Sequence, residues 1–201
     1  ADMTAARLPM FRSLTVLVIA AGIALVLFTA RDGAKFGKQQ SLGLDPDWVE
    51  ALAWVKNNTN QSEIVASWWD YGYWIETFAS RITLADGATI KDIQIRDMAK
   101  AFLGTEKDMN DLCERYNVSL IMLSVAEDVV GGKWGAMAYI AKLNANEYVV
   151  ENKANKTIAL LPKGQNAPIF RMASLVLMDS TLLMDKILPV HRSPNGRVVV
   201  Y

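Results

Sequence analysis

Val118-Ser119-Leu120-Ile121-Met122-Leu123-Ser124 is the stretch on which the fold turns. It is almost wholly apolar and lacks the alternation of a half-solvated strand, so it reads as a strand buried on both faces. A strand of that kind needs helices to cover it, and the sequence on either side supplies them. Residues 90–102 and 107–116 carry apolar side chains at helical spacing, and residues 134–143 do so again after Gly131-Gly132. The expected fold class is therefore α/β: a helix-rich mixed globular domain with a small central sheet. Shorter strands are expected at 63–68 and 82–84, with a helix beginning at Asp70 or Tyr71 and running through Phe78. Residues 148–150 and 157–161 read as a hairpin around 152–156, and 169–178 are apolar on most sides. Residues 197–201 read as a strand cut off by the end of the chain, so the domain is expected to continue beyond Tyr201.

Toward the N-terminus, Asp45-Pro46 is a helix start: the carboxylate can cap free amides and the proline suits the first turn. Trp48, Leu52 and Val55 then share one face of a helix expected to end near Lys56. Residues 31–43 are polar and aperiodic, a linker, and residues 14–30 carry no charge. That is about the minimum length for a membrane-spanning helix. A cleaved signal peptide is the alternative, because a basic start, an apolar middle and small residues near Thr29 and Ala30 are all present. The expected organisation is a cytoplasmic-side flank (1–13), one transmembrane helix (14–30), a linker (31–43) and an extracytoplasmic globular domain (44–201). Asn57, Asn60, Asn117 and Asn155 each begin an Asn-X-Ser/Thr acceptor pattern, which is why the globular part is placed outside the cytoplasm.

Charge excludes one class of partner. Lysine plus arginine equals aspartate plus glutamate at 21 each, so no basic excess exists to bind nucleic acid. The single Cys113 cannot form an intrachain disulfide and reads as a small core residue. The one histidine, His191, lies in a Pro-flanked loop and reads as a surface residue, and no cluster of acids resembles a metal site.

The chemistry concentrates in Ser67-Trp68-Trp69-Asp70-Tyr71-Gly72-Tyr73-Trp74, at a strand-to-helix junction. Indole N–H groups only donate and a carboxylate only accepts, so together they can hold a hydroxyl that does both. That is the chemistry of recognising serine or threonine. Gly72 lets the backbone turn tightly, and the flat rings exclude water, so a ligand lacking the hydroxyl would leave polar groups unpaired. The plainer reading is that the tryptophans are core and Asp70 a helix cap.

The run Trp68-Trp69-Asp70-Tyr71-Gly72 is expected by chance on the order of once in ten million positions at average residue usage, and it resembles the signature of the oligosaccharyltransferase catalytic subunit family. The resemblance implies transfer of a lipid-linked oligosaccharide to asparagine in Asn-X-Ser/Thr. Trp68, Trp69 and Asp70 would bind the hydroxyl two residues after the acceptor asparagine, with Tyr71 and Gly72 shaping the pocket. A second family motif places an aspartate three residues before a lysine, with a methionine or isoleucine four after it. Lys133 and Met137 match its spacing; Val130 stands at the aspartate position and the nearest acid is Asp128. By resemblance, the Met137 thioether would touch the methyl of an acceptor threonine. The implied partners are an acceptor polypeptide, a lipid-linked oligosaccharide and the membrane. The implied cofactor is a divalent metal, Mn or Mg, held by upstream loops that this chain lacks, so the chain alone would not transfer sugar. The short layout resembles archaeal members. The rival reading is a membrane-anchored extracytoplasmic carbohydrate-binding domain that stacks the same tryptophans on sugars.

Overall fold

A computed structural model describes residues 44–152, 157–177 and 184–201, with Gly22, Ile23, Val26, Thr29 and Arg31. The expected span at 14–30 lies outside the described residues except at Gly22, Ile23, Val26 and Thr29, which are helical. Among the described residues no helix is long and apolar enough to cross a membrane. The flank at 1–13 and, apart from Arg31, the linker at 31–43 also lie outside them. The chain divides into two compact units, Ala1–Leu44 and Asp45–Tyr201, and the second carries the architecture that follows.

Helix α1, Pro46–Asn58, starts where the cap chemistry places it: Asp45 Oδ1 accepts the Asp47 amide at 2.9 Å and Pro46 occupies the first turn. Trp48, Ala51, Leu52 and Val55 form its buried stripe. Its C-terminal carbonyls are held by a buried arginine. Arg81 donates from Nη2 to the carbonyls of Val55 (3.2 Å), Lys56 (2.8 Å) and Thr59 (2.6 Å), and from Nε to Thr59 Oγ1 at 2.9 Å. A cation suits a helix C-terminus, and without it the part-buried Lys56 and Thr59 carbonyls would lose their side-chain donor. Arg81→Met is therefore expected to cost about 3 kcal/mol, read as a lowered denaturation midpoint at unchanged slope. A loss below about 1 kcal/mol would show that water replaces the guanidinium.

Strand β1 is Ile64–Ala66 and β2 is Ile82–Thr83. After the short α2, Gly72–Trp74, helices α3, Asp92–Leu103, and α4, Glu106–Tyr116, lead to β3, Val118–Ser124. Leu120 to Ser124 are all buried, as a strand covered on both faces requires. Each fully buried apolar side chain there stabilises the fold by about 1.5–3 kcal/mol. After α5, Trp134–Ala141, come the hairpin β4, Val149–Asn152, with β5, Thr157–Leu160, and helices α6, Pro162–Asn166, and α7, Pro168–Leu177. Strands β6, His191–Arg192, and β7, Val198–Val200, close the domain. The main sheet runs β2-β1-β3-β7-β6, with β1 parallel to both neighbours and β7 antiparallel to β3 and β6. Helix α1 packs on β6 and β7, while α4 and α7 pack on β3.

Two expectations are corrected. His191 is not a loop surface residue: it begins β6, its ring stacks on Trp54 at 4.6 Å, and Nε2 lies 2.8 Å from Glu50 Oε2. Its flanking prolines hide a strand that only pairing with β7 reveals. Cys113 is half-buried on α4, and that burial raises its thiol's pKa.

The sheet order also places the site. Chain leaving β1 crosses to β2 on one side, and chain leaving β3 works toward β7 on the other. The carboxyl ends of β1 and β3 therefore flank a switch point, where open α/β sheets leave a crevice for ligands.

Candidate functional site

The aromatic motif leaves the carboxyl end of β1. Ser67 and Trp68 are buried, Trp69–Tyr71 form a 3-10 turn, Gly72–Trp74 the short helix α2, and Ile75–Ala79 a π-helical turn. The sequence pattern predicts one continuous helix here. The changes of pitch turn Tyr71, Gly72 and Ile75 inward, and leave Asp70 and Tyr73 exposed with Trp69 between the two extremes. Gly72 is required by space, because a Cβ there would sit 2.4 Å from the Ala85 carbonyl oxygen.

The facing wall grows from β3. Ser124 opens a π-helical turn, Val125–Val130, in which Ser124 Oγ accepts the Glu127 amide at 3.3 Å and the buried Asp128 Oδ2 accepts the Ser124 amide at 2.9 Å. Gly132 follows with φ +83°, a left-handed turn that suits glycine, and the chain enters α5 just after Lys133. The Trp134 indole donates to the Val129 carbonyl at 3.0 Å and ties this turn to α5.

The two walls meet at Lys133. Its Nζ donates to Asp70 Oδ2 at 2.8 Å and to the Tyr71 hydroxyl at 2.6 Å, and lies 3.4 Å from Asp128 Oδ1. Glu127 Oε2 stands 3.5 Å away, and the ammonium lies 4.3 Å from the Tyr71 ring centroid. Tyr71 in turn donates to Asp128 Oδ1 at 2.8 Å, and its ring packs on Trp48 at 4.5 Å and Trp74 at 5.6 Å. Tyr71 is thus a buried strut behind Asp70. Burial, joined by the charges of Asp128, Glu127 and Asp70, lifts the Tyr71 hydroxyl far above its ordinary value, so it stays a donor. Burial also pushes Asp128 up to about 6, against the pull of Lys133, Tyr71 and the Ser124 amide. Partial burial would lower Lys133, but its bond to Asp70 and the surrounding carboxylates outweigh that and raise it, so the ammonium persists.

The consequence is an oriented carboxylate. Lys133 fixes Oδ2 of Asp70, while Oδ1 has no protein partner among the described residues and belongs to a side chain 36% exposed. It is placed to accept a hydrogen bond from a ligand. Trp69 stands beside it, its ring 6.3 Å from that of Trp68, and walls a cleft of about 440 Å³ with Ile95, Arg96, Tyr139 and Ile140. Such a space admits an extended peptide segment or a ring. Asp70, Glu127 and Asp128 do not fit as a divalent-metal site, because they converge on an ammonium that holds the place of a cation. Among the described residues no trio of His, Cys, Asp or Glu has the spacing to hold a metal.

Of the residues singled out from sequence, the fold brings together Asp70, Tyr71, Asp128 and Lys133. Asp128 reaches the lysine from five positions upstream because the π-turn and the two glycines take up the extra chain. Gly72 acts through packing. Met137 is fully buried one turn after Lys133, so contact with a ligand methyl requires neighbouring side chains to move. Sequence reasoning misses Glu127, for which the acid pair Glu127-Asp128 is the available signal; it puts Trp48 on the apolar face of α1, but nothing local announces its packing on Tyr71.

Parts of this chain are similar to known proteins. The family model of the STT3/PglB/AglB core domain matches residues 61–173. The dolichyl-diphosphooligosaccharide-protein glycosyltransferase subunit stt3 of Schizosaccharomyces pombe is 35% identical over 89 residues, which is 44% of this chain and 11% of that protein. The chain thus spans about a tenth of the length of such curated relatives. Among solved structures, the C-terminal globular domain of an Archaeoglobus fulgidus oligosaccharyltransferase aligns with TM-score 0.60 and 22% identity, covering 78% of this chain and 96% of that one. A second A. fulgidus oligosaccharyltransferase, tethered by a disulfide to an acceptor peptide containing the NVT sequon, aligns with TM-score 0.51 and 18% identity over 65% of this chain and 22% of that one.

Proposed function

The chain belongs to the STT3/PglB/AglB core-domain family, and from that membership we propose that it is the acceptor-recognition part of an oligosaccharyltransferase, which moves a lipid-linked oligosaccharide onto asparagine in Asn-X-Ser/Thr. The observation that carries this reading is the carboxylate of Asp70, gripped through one oxygen by Lys133 and open at the other. The open oxygen accepts the hydroxyl proton of the residue two positions after the acceptor asparagine. Trp69 lines the approach with the buried Trp68 packed behind it, and the cleft beyond Trp69 carries the flanking acceptor chain. Tyr71 and Asp128 hold Lys133, and Lys133 holds Asp70. Met137 stands behind this wall, where a shift of its neighbours would bring the thioether to a threonine methyl. The NVT peptide tethered to the A. fulgidus relative supports this assignment.

In the full-length enzyme the apolar residues 14–30 anchor the chain in the membrane, with the globular part on the extracytoplasmic face. A divalent metal, Mn or Mg, is held by upstream loops rather than by this domain, and the lipid-linked donor is bound there too. Sugar stacking is the second reading. It needs open ring faces, and Trp68 is only 2% exposed.

The test places Asp70→Ala in the full-length enzyme and compares transfer to peptides ending in threonine, serine or alanine. A hydrogen bond to a charged group contributes about 1.5–3 kcal/mol, so transfer to threonine and serine peptides should fall by about ten- to a hundredfold, and the preference over alanine should flatten. Unchanged rates and preference would reduce Asp70 to a partner of Lys133 and end the recognition reading.

A further inference from the structure

The chain carries acceptor patterns of its own, and the fold treats them unequally. Asn155 lies outside the described residues. Asn57 sits in α1, and the hydroxyl on which its recognition depends is already engaged: Thr59 Oγ1 donates to the Val55 carbonyl at 2.7 Å and accepts from Arg81 Nε at 2.9 Å. Asn117 is the left-handed cap of α4, with φ 50° and its amide bonded to the Cys113 carbonyl. Val118 and Ser119 then run straight into β3, with Val118 paired to Ile64. In the first segment the hydroxyl is taken; in the second Ser119 is exposed, but the main chain that carries the pattern is locked between the helix cap and the sheet, so neither can be drawn into an extended acceptor without breaking helix or sheet.

Asn60-Gln61-Ser62 is free of both restraints. All three residues are exposed and belong to no helix or strand, and the turn is closed by the Glu63 amide on the Asn60 carbonyl at 3.1 Å. The Asn60 amide makes a long, solvent-exposed bond of 3.3 Å to Glu63 Oε1, and Ser62 Oγ has no protein partner among the described residues. Turns of this kind rearrange at little cost, since few buried contacts hold them.

Resting on the sequon-recognition reading above, we propose that Asn60 is itself a glycosylation site of this protein, with an oligosaccharide linked through phosphate to a lipid as the donor. The Asn60 Nδ2 forms a bond to the anomeric carbon of the glycan, the bond from that carbon to the lipid phosphate oxygen breaks, and the phosphate leaves with the electron pair. The displaced amide proton passes to solvent or to the departing phosphate. Asn60 precedes β1 and Asp70 follows it, so the two stand at opposite ends of the strand and the transfer comes from a second copy of the enzyme.

The experiment takes the full-length protein from its native membranes, digests it, and locates attached sugar by mass spectrometry with fragmentation that leaves glycans on asparagine. Sugar is expected on Asn60 and absent from Asn57 and Asn117, and Ser62→Ala should remove it while Asn57→Gln leaves it in place. Asn60 found bare, or sugar that persists in Ser62→Ala, overturns the inference. The same preparation is assayed on threonine and alanine acceptor peptides. Bare Asn60 with that preference intact sinks the modification site alone, whereas loss of the preference sinks the recognition reading beneath it.

Discussion

Gly72→Ala is expected to remove more than about 3 kcal/mol of stability and with it most of the folded protein. The added methyl would lie 2.4 Å from the Ala85 carbonyl oxygen, 2.5 Å from Asp86 Cα and 2.7 Å from Asp86 Cβ. Those are main-chain atoms and a Cβ, not the far end of a flexible side chain. The segment they belong to is itself held, because Thr83 Oγ1 donates to the Ala85 carbonyl and the Leu84 amide to the Val65 carbonyl. Gly72 has φ −54°, an ordinary helical value, so alanine meets no strain in backbone conformation. The cost is purely one of space. Fluorescence-monitored urea unfolding reads it, and a variant within about 1 kcal/mol of the parent would mean that the 82–86 segment yields. Transfer would fall alongside, since moving this junction displaces Asp70.

Lys133→Met is the second large effect. It leaves Asp128 buried without a counter-charge and releases Asp70, so stability should fall by about 2–4 kcal/mol. That is slightly below the range for a fully buried pair because the lysine side chain retains 22% exposure. The loss has a pH signature. Asp128 in the fold already titrates near 6, above the 3.8 of an unperturbed aspartate, and removing the ammonium raises it further. A carboxyl with a raised folded value is tolerated when protonated and costs stability once ionised. The deficit of Lys133→Met should therefore be largest near pH 8 and shrink toward pH 5, where Asp128 takes a proton in the folded state. Equal deficits at both values would show that Asp128 is not the group left stranded. Transfer should drop at least as far as in Asp70→Ala, because Asp70 loses its orientation; Lys133→Arg, which keeps the charge, should recover part of the stability.

Much of the fold is legible in residue patterns alone. Asp45-Pro46 announces α1, the run from Val118 to Ser124 announces the buried strand, and two short apolar runs announce the hairpin that pairs Val149 with Leu160. Each of these signals is written within a few residues, where cap chemistry, periodicity and turn composition act. The aromatic motif is legible for the same reason. Its change from 3-10 through α to π pitch is not, since propensity distinguishes helix from strand and says nothing about pitch.

Residue order thus dictates the helices around a buried strand, the family to which the motif points, and the residue types able to hold a hydroxyl. Long-range packing sets the rest: that Tyr71 faces inward, that Asp128 lies beside Lys133, and that Asn60 alone among the described acceptor patterns stays clear of helix and sheet. The first two depend on bonds between residues 63, 62 and 57 positions apart in the chain, and Thr59, the hydroxyl partner of Asn57, is taken up by Arg81 from 22 positions away. Local patterning reaches across a turn or two, whereas contacts at such separations exist only once β1 and β3 lie side by side and carry their trailing turns to the same end of the sheet.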